Sequence, residues 1–209
     1  MADSPSKLMD YDSAQKLVAK YGIKPIRSQY VKSAEEAVKF SQGKPIVLKG
    51  ITGKAIHKSK SGLIALNLYN EAMVRAAFAD ISKKCAKLKP YKVLAQHMVQ
   101  NGREIIIGGN TDKQFGKMIL IGLGGIYVEA FKDFALRTCP ITKDDARSMI
   151  QQLKSRAVVA PDKKSENLLE DLLLKTSKMF ASSKVSEIDL NPIIIHDEGY
   201  DAVDIRIMV

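Results

Sequence analysis

Tryptophan is absent from the 209-residue sequence, aromatic residues make up only 6% of it, and cysteine occurs twice. Cys85 and Cys139 lie far apart and form no CxxC or metal-ligand spacing, so we expect two reduced thiols rather than a disulfide scaffold or a zinc site. No apolar segment approaches the roughly 20 residues of a membrane helix, and the polar N-terminus lacks the apolar core of a signal peptide. The sequence therefore predicts a cytoplasmic protein with no membrane segment.

Two nucleotide-binding signatures are missing as well. The chain contains no GxxxxGK[ST] phosphate loop, and its glycine run IGLGGI does not form a GxGxxG motif that leads into a helix. What the chain has is a formal net charge of +10, which favours anionic partners such as nucleotides, coenzyme A or nucleic acid. Nucleic acid is the weakest of these, because few aromatic side chains accompany the basic residues.

Helix and strand patterns alternate along the chain, which indicates an α/β fold. We expect a flexible tail at 1–9 and a first lobe at 10–90, which contains helix patterns at 11–23, 33–43 and 70–88 and strand patterns at 44–50 and 62–69. The loop around Lys89-Pro90 is the predicted boundary, and 91–209 is the predicted second lobe.

The second lobe is predicted to begin with strands at 91–99 and 103–112, joined as a hairpin by Asn101-Gly102. Thr142 is a predicted helix N-cap with Asp145 at the third position, and a strongly apolar helix follows at 165–181. The C-terminus is predicted to form two strands around the turn at 197–201.

Acidic and amide side chains near the C-terminus form a candidate metal site. Asp189 and Asn191 are two residues apart in EIDLNP and point to the same face of a strand. Antiparallel pairing would bring Asp204 of the next strand close to Asn191. Such oxygen donors suit Mg²⁺, which takes one or two carboxylates together with substrate phosphates; a solvated strand face is the alternative.

A second group of candidates lies in the first lobe. Lys49 ends the strand pattern IVLKG, where its ammonium group would reach a phosphate, although a snorkelling surface lysine is the more common case. The loop AIHKSKSG follows and presents His57 among basic and hydroxyl side chains. This loop offers an anion two ammonium groups and backbone N–H groups, and a solvated loop is the alternative.

Taken together, IHKSKSG, REIIIGGNTDKQFG, GLGGIYVE, FKDFALRTCPIT, EIDLNPIII and AVDIRI resemble the ATP-grasp β subunits of ADP-forming acyl-CoA synthetases, the acetyl-CoA synthetase branch of the succinyl-CoA synthetase superfamily. The resemblance covers roughly residues 10–209. It implies an ATP-grasp fold of two lobes with a nucleotide cleft between them. It also implies a ligase subunit that uses ATP or ADP with Mg²⁺.

The resemblance assigns a role to each matching residue. His57 matches the histidine that carries the phosphoryl group, and Asn191 and Asp204 match the Mg²⁺ ligands, with Asp189 beside them. The remaining matches are to residues that contact the nucleotide or its phosphates: Lys49, Lys58, Ser59, Gln96, Met98, Val99 and Glu104.

The resemblance also implies a partner. In this family a second, α-type chain carries the coenzyme A-binding and ligase-type domains, so we expect a hetero-oligomer, for which two α and two β chains is one arrangement. A catalytically degenerate regulatory or scaffolding subunit is the alternative, because Leu63 stands where the family loop has a second glycine and SRAVVAPDKK replaces the arginine-glycine patch that usually follows the long helix. The sequence does not identify the acyl group or distinguish ATP from GTP.

Overall fold

A computed structural model of the chain describes residues 7–52, 62–125 and 133–209. Contacts between Cα atoms divide it into two compact units, Ile26–Gln100 and Asn101–Val209, and the residues before Ile26 belong to the second. The first helix, α1 (Tyr11–Lys20), is therefore part of the Asn101–Val209 unit. Among the helices within these described ranges, none is long and apolar enough to cross a membrane.

The Ile26–Gln100 unit is an antiparallel sheet with two helices packed on one face. Its strands are β1 (Ser28–Val31), β2 (Ile46–Thr52), β3 (Ile64–Leu68) and β4 (Tyr91–His97), in the order β1-β4-β2-β3, and its helices are α2 (Ala34–Ser41) and α3 (Glu71–Cys85). The core between sheet and helices includes Phe40, Ile46, Leu48, Leu63, Ile81, Val93 and Ala95. Ser33 caps α2 and accepts a hydrogen bond from the Glu36 N–H at 3.2 Å.

The Asn101–Val209 unit is built on a six-stranded antiparallel sheet. Its strands are β5 (Arg103–Asp112), β6 (Gly116–Leu123), β7 (Phe134–Thr138), β8 (Glu187–His196), β9 (Gly199–Ala202) and β10 (Ile205–Met208). They run in the order β10-β8-β5-β6-β7, and β9 also pairs with β8. The helices that follow α3 are α4 (Lys143–Gln152), α5 (Arg156–Val159) and α6 (Lys163–Ser182).

The core of this unit explains the strongly apolar pattern of α6. Buried side chains on α6, including Leu169, Leu172 and Phe180, share one cluster with Ile105 and Ile107 of β5. Thr142 and Asp145 form the predicted capping box at the start of α4, with the Asp145 N–H bonded to Thr142 Oγ1 at 3.1 Å.

The division into units differs from the predicted boundaries. The strand β4 that follows Pro90 pairs with both β1 and β2, so Lys89-Pro90 leads into the centre of the first sheet and does not separate two lobes. Helix α1 belongs to the other unit because Ala14 and Val18 are fully buried in its core. Residues 7–9, which were predicted to be part of a flexible tail, are bonded to the C-terminal strand: the Met9 N–H donates to the Ile207 carbonyl oxygen of β10 at 2.8 Å, and the Lys7 N–H donates to the Val209 carbonyl oxygen just after β10 at 2.7 Å.

The structure also corrects the hairpin predicted at Asn101-Gly102 and the two strands predicted at the C-terminus. Asn101-Gly102 does not join a hairpin, because β4 and β5 belong to different sheets. Gly102 instead allows a close approach to β8: a Cβ atom there would lie 2.3 Å from Ile194 Cγ2 and 2.7 Å from the Ile195 carbonyl oxygen. The C-terminus forms three strands rather than two, and Asp204 lies between β9 and β10 rather than on a strand.

Candidate functional site

The structure brings Lys49 and Gln96 to the same face of the first sheet. Ile46, Leu48, Val93 and Ala95 belong to the core beneath α2 and α3, so the alternation of β2 and β4 directs Lys49 and Gln96 to the opposite face. Lys49 pairs with Leu94 in the register, and Gln96 is two residues further along the same strand. Both side chains are buried, at 7% and 0% exposure.

Met98 and Val99, which are also predicted to contact the nucleotide, follow shortly after Gln96. The Met98 N–H donates to the Pro45 carbonyl oxygen at 3.0 Å, so this backbone donor already has a partner, and Val99 is half-buried. His97 faces the helices, with its ring 4.9 Å from the Phe40 ring in an edge-on arrangement. Burial lowers the pKa of His97, as do the nearby charges of Arg27 and Lys44, against a hydrogen bond with the Phe40 backbone. These contacts indicate a packing role for His97.

His57, Lys58 and Ser59 lie outside the described residues, and their assignment stays a prediction. Leu63, just after their segment, is described and is 1% exposed. Its carbonyl oxygen accepts the Gly50 N–H at 2.7 Å, and its side chain belongs to the core under α3. Leu63 therefore fills the core at the position where the family loop has its second glycine.

Three of the predicted metal-site residues meet on the second sheet. Asp189 and Asn191 lie on β8 and alternate with the core residues Ile188 and Leu190, so they occupy the face opposite α6. The Asn191 N–H donates to the Asp204 carbonyl oxygen at 3.2 Å, which confirms that Asp204 lies beside Asn191.

Burial and neighbouring carboxylates shift the pKa of Asp189 in this group. Burial raises the pKa of Asp189, and the charges of Asp204 and Glu187 raise it further, whereas Arg206 lowers it. Arg206 lies opposite Asp189 in the β8–β10 register. Sequence reasoning missed Arg206, although its position two residues after Asp204 in AVDIRI could have drawn attention to it.

These residues are suitable ligands for an Mg²⁺ ion that takes only some of its ligands from the protein. Carboxylate and amide oxygens from neighbouring strands are suitable hard donors, and a cation would relieve the repulsion between Asp189 and Asp204. Within 7–52, 62–125 and 133–209, no group of three or more His, Cys, Asp or Glu side chains is arranged to hold a metal ion. The remaining ligands would therefore come from water and phosphate, as is usual for Mg²⁺.

Glu104 lies on β5, on the same face as Asp189. Its neighbour Ile105 is buried in the core, so the Glu104 side chain is directed away from α6 and is exposed. The Glu104 carbonyl oxygen accepts the Gly124 N–H at 2.7 Å. The sheet thus places the predicted nucleotide glutamate and the predicted metal ligands on one surface.

Comparison with known proteins gives the same picture. The chain matches an ATP-grasp domain family over residues 1–209. It is 36% identical to the β subunit of acetate–CoA ligase (ADP-forming) I from Pyrococcus furiosus, over 94% of this chain and 89% of that protein.

Solved structures agree along nearly the whole chain. The dinucleotide-forming acetyl-coenzyme A synthetase 1 of Candidatus Korarchaeum cryptofilum, in complex with coenzyme A and Ca-AMPCP, is 33% identical with a TM-score of 0.86, covering 98% of this chain and 93% of that one. Another structure of that protein, with coenzyme A and Mg-AMPPCP, has a phosphohistidine segment pointing towards the nucleotide-binding site. It is 32% identical with a TM-score of 0.82, covering 97% of this chain and 93% of that one.

Proposed function

The chain belongs to the ATP-grasp domain family and, within it, to the group of ADP-forming acetate–CoA ligase β subunits, and on that premise we propose that it binds Mg–ATP or Mg–ADP and passes a phosphoryl group through His57 to a partner α subunit. The observation that carries the proposal is the shared face of the second sheet, where Glu104, Asp189 and Asn191 lie opposite α6 with Asp204 beside them.

The phosphoryl transfer needs a nucleophile and positive charge around the phosphate oxygens. A neutral imidazole nitrogen of His57 attacks the γ-phosphorus of ATP, the P–N bond forms, the P–O bond to ADP breaks, and ADP leaves with the electron pair. Lys49, Lys58 and the hydroxyl and backbone groups at Ser59 bind and orient the phosphates. Mg²⁺, held by Asn191 and Asp204 with Asp189 beside them, supplies further charge neutralisation when bound.

The acyl chemistry belongs to the partner in this proposal. Phosphohistidine formation divides one transfer into two, so the phosphoryl group can leave the nucleotide and react elsewhere with the acyl substrate. The β-subunit name of the Pyrococcus relative supports a partner α subunit, and we propose that this partner carries the coenzyme A-binding and ligase-type domains. Acetate is the acyl group that this relative suggests, and a cytoplasmic location stays a prediction.

Substitution of Lys49 tests nucleotide binding in the isolated chain. We expect Lys49→Met to weaken Mg–ATP binding in calorimetry by roughly 10- to 100-fold, because it removes a charged hydrogen bond to phosphate. Asp204→Asn should weaken binding only when Mg²⁺ is present. Lys16→Met, on the exposed face of α1, is the control and should bind as the wild type. Equal affinity of Lys49→Met and wild type would contradict the assignment of Lys49.

A further inference from the structure

Two consecutive glycines after β6 contact Glu104 in different ways. The N–H of Gly124 donates to the Glu104 carbonyl oxygen at 2.7 Å. A Cβ atom at Gly124 would lie 2.8 Å from the Glu104 carbonyl carbon and 2.9 Å from the Ile105 nitrogen. Because these are backbone atoms of a central strand, they cannot move aside, and Gly124 is required for the sheet itself.

Gly125 lies against the carboxyl group. A Cβ atom there would lie 2.9 Å from Glu104 Oε2 and 3.9 Å from Glu104 Cδ, and apart from the chain neighbours of Gly125 no other atom of the described residues would lie within 4 Å of it. The Glu104 carboxylate thus occupies the space that any other side chain at position 125 would take. Gly125 also has a φ of +74°, a conformation that favours glycine.

We propose that Gly125 is a positioning residue for nucleotide binding, because its missing side chain leaves the seat, the space in which the Glu104 carboxylate lies. A side chain at position 125 would exclude this orientation of the carboxylate, and Glu104 would have to adopt another one before it could contact a ligand, at a cost to binding. This inference rests on the proposed role of Glu104 as a nucleotide ligand. It assigns separate roles to the last two glycines of GLGG, Gly124 for the strand contact and Gly125 for the carboxylate.

Two matched glycine variants distinguish the loss of the seat for the Glu104 carboxylate from the backbone strain of a side chain at positive φ. Gly116 has a φ of +76°, almost the same as Gly125, but a Cβ atom there would meet no atom of the described residues within 4 Å, its chain neighbours aside. Gly125→Ala and Gly116→Ala should therefore lower the thermal unfolding midpoint by similar amounts. Only Gly125→Ala should weaken binding of a non-hydrolysable Mg–ATP analogue in calorimetry. The expected loss is roughly tenfold, which corresponds to one hydrogen bond between the Glu104 carboxylate and the nucleotide.

A double-mutant cycle with Glu104→Ala completes the test. We expect Glu104→Ala to weaken the analogue, and Gly125→Ala to weaken it no further in that background. A similar loss from Gly125→Ala with and without Glu104, or equal affinities of Gly125→Ala and Gly116→Ala, would overturn the positioning role alone. Unchanged affinity of Glu104→Ala would instead overturn the proposed role of Glu104.

A second variant protects the test against misfolding. Asparagine adopts the left-handed conformation more readily than alanine and still places a Cβ atom in the seat. Gly125→Asn should therefore fold if Gly125→Ala does not, and it should show the same loss of analogue binding. A folded Gly125→Asn protein with wild-type affinity would overturn the inference.

Discussion

Leu63 is the residue at which the chain departs from the family loop, and its surroundings give that departure a structural reason. The side chain is 1% exposed and lies in the core of the Ile26–Gln100 unit. A Cβ atom at Gly50 would lie 3.4 Å from Leu63 Cβ and 2.5 Å from Cys85 Sγ, so glycine at position 50 makes room for this packing. The degenerate-subunit alternative rested in part on Leu63, and the burial of this side chain removes that part of its support.

Stability measurements on two leucines test this interpretation. Leu63→Ala should lower the free energy of unfolding by about 2–5 kcal/mol in urea titrations, because it leaves a cavity in a packed core. Leu66→Ala, three residues on and 59% exposed on β3, should change it by less than about 0.5 kcal/mol. Leu63→Gly should not increase phosphoryl transfer; an increase would show that the leucine obstructs the phosphate.

At the residue scale, strand alternation predicts which site residues share a face, and sheet register determines which residues lie beside them. The two-residue spacing in EIDLNP was enough to place Asp189 and Asn191 on one face. The pairing of Arg206 with Asp189 depends on the β8–β10 register, and the contact between Glu104 and Gly125 depends on how β6 ends beside β5. A local pattern encodes neither register nor close approach, so the spacing of residues alone does not specify these contacts.

At the element scale, Asp133 joins the start of β7 to the connection between α4 and α5. Its carboxylate accepts the N–H groups of Lys154 and Ser155, both at 2.8 Å. Burial by itself would raise the pKa of Asp133, but the hydrogen bonds from Ser155 and Lys154 outweigh it and hold the pKa below its usual value. A carboxylate that is stabilised in the folded state makes stability depend on pH.

Asp133→Asn should therefore lose both stability and pH dependence. At neutral pH we expect a loss of about 1 kcal/mol in the free energy of unfolding, because asparagine offers one acceptor oxygen to two N–H groups. The wild-type advantage should be complete above the unfolded carboxyl pKa of about 3.9 and should disappear as pH falls through the lower folded value.

The control for this prediction is Asp144→Asn, whose side chain is 94% exposed at the start of α4. It should leave the difference between pH 7 and acid unchanged in denaturant titrations. An Asp133→Asn variant that keeps the full wild-type pH dependence would show that the two backbone hydrogen bonds do not stabilise the ionised carboxylate.

Helix ends were more predictable than strand partners for a physical reason. Caps such as Ser33 and Thr142 act within three residues, so the sequence pattern contains the whole interaction. Asn101-Gly102 is an equally strong local signal for a hairpin, yet its glycine serves a contact with Ile194, which is distant in sequence. The role of Gly102 therefore depends on long-range packing, which a local pattern does not contain.

At the scale of the whole molecule, the excess positive charge belongs to one unit. Ile26–Gln100 contains 14 lysines and arginines and 4 acidic residues, whereas the rest of the chain contains 19 of each kind. The unit that holds Lys49 and the segment with His57 therefore carries the entire net charge of +10. Such an asymmetric field attracts polyphosphate ligands, an effect that salt weakens over a Debye length of about 8–10 Å.

The central claim is that this chain carries a phosphoryl group on His57, and radiolabelled ATP tests it most directly. Incubation of the chain with Mg²⁺ and γ-labelled ATP, with and without its α partner, should give a protein-bound label that is labile in acid and stable in base. His57→Asn should abolish the label while ATP still binds in calorimetry, and His196→Asn should retain it. A label that persists in His57→Asn, or that is stable in acid, would contradict the account.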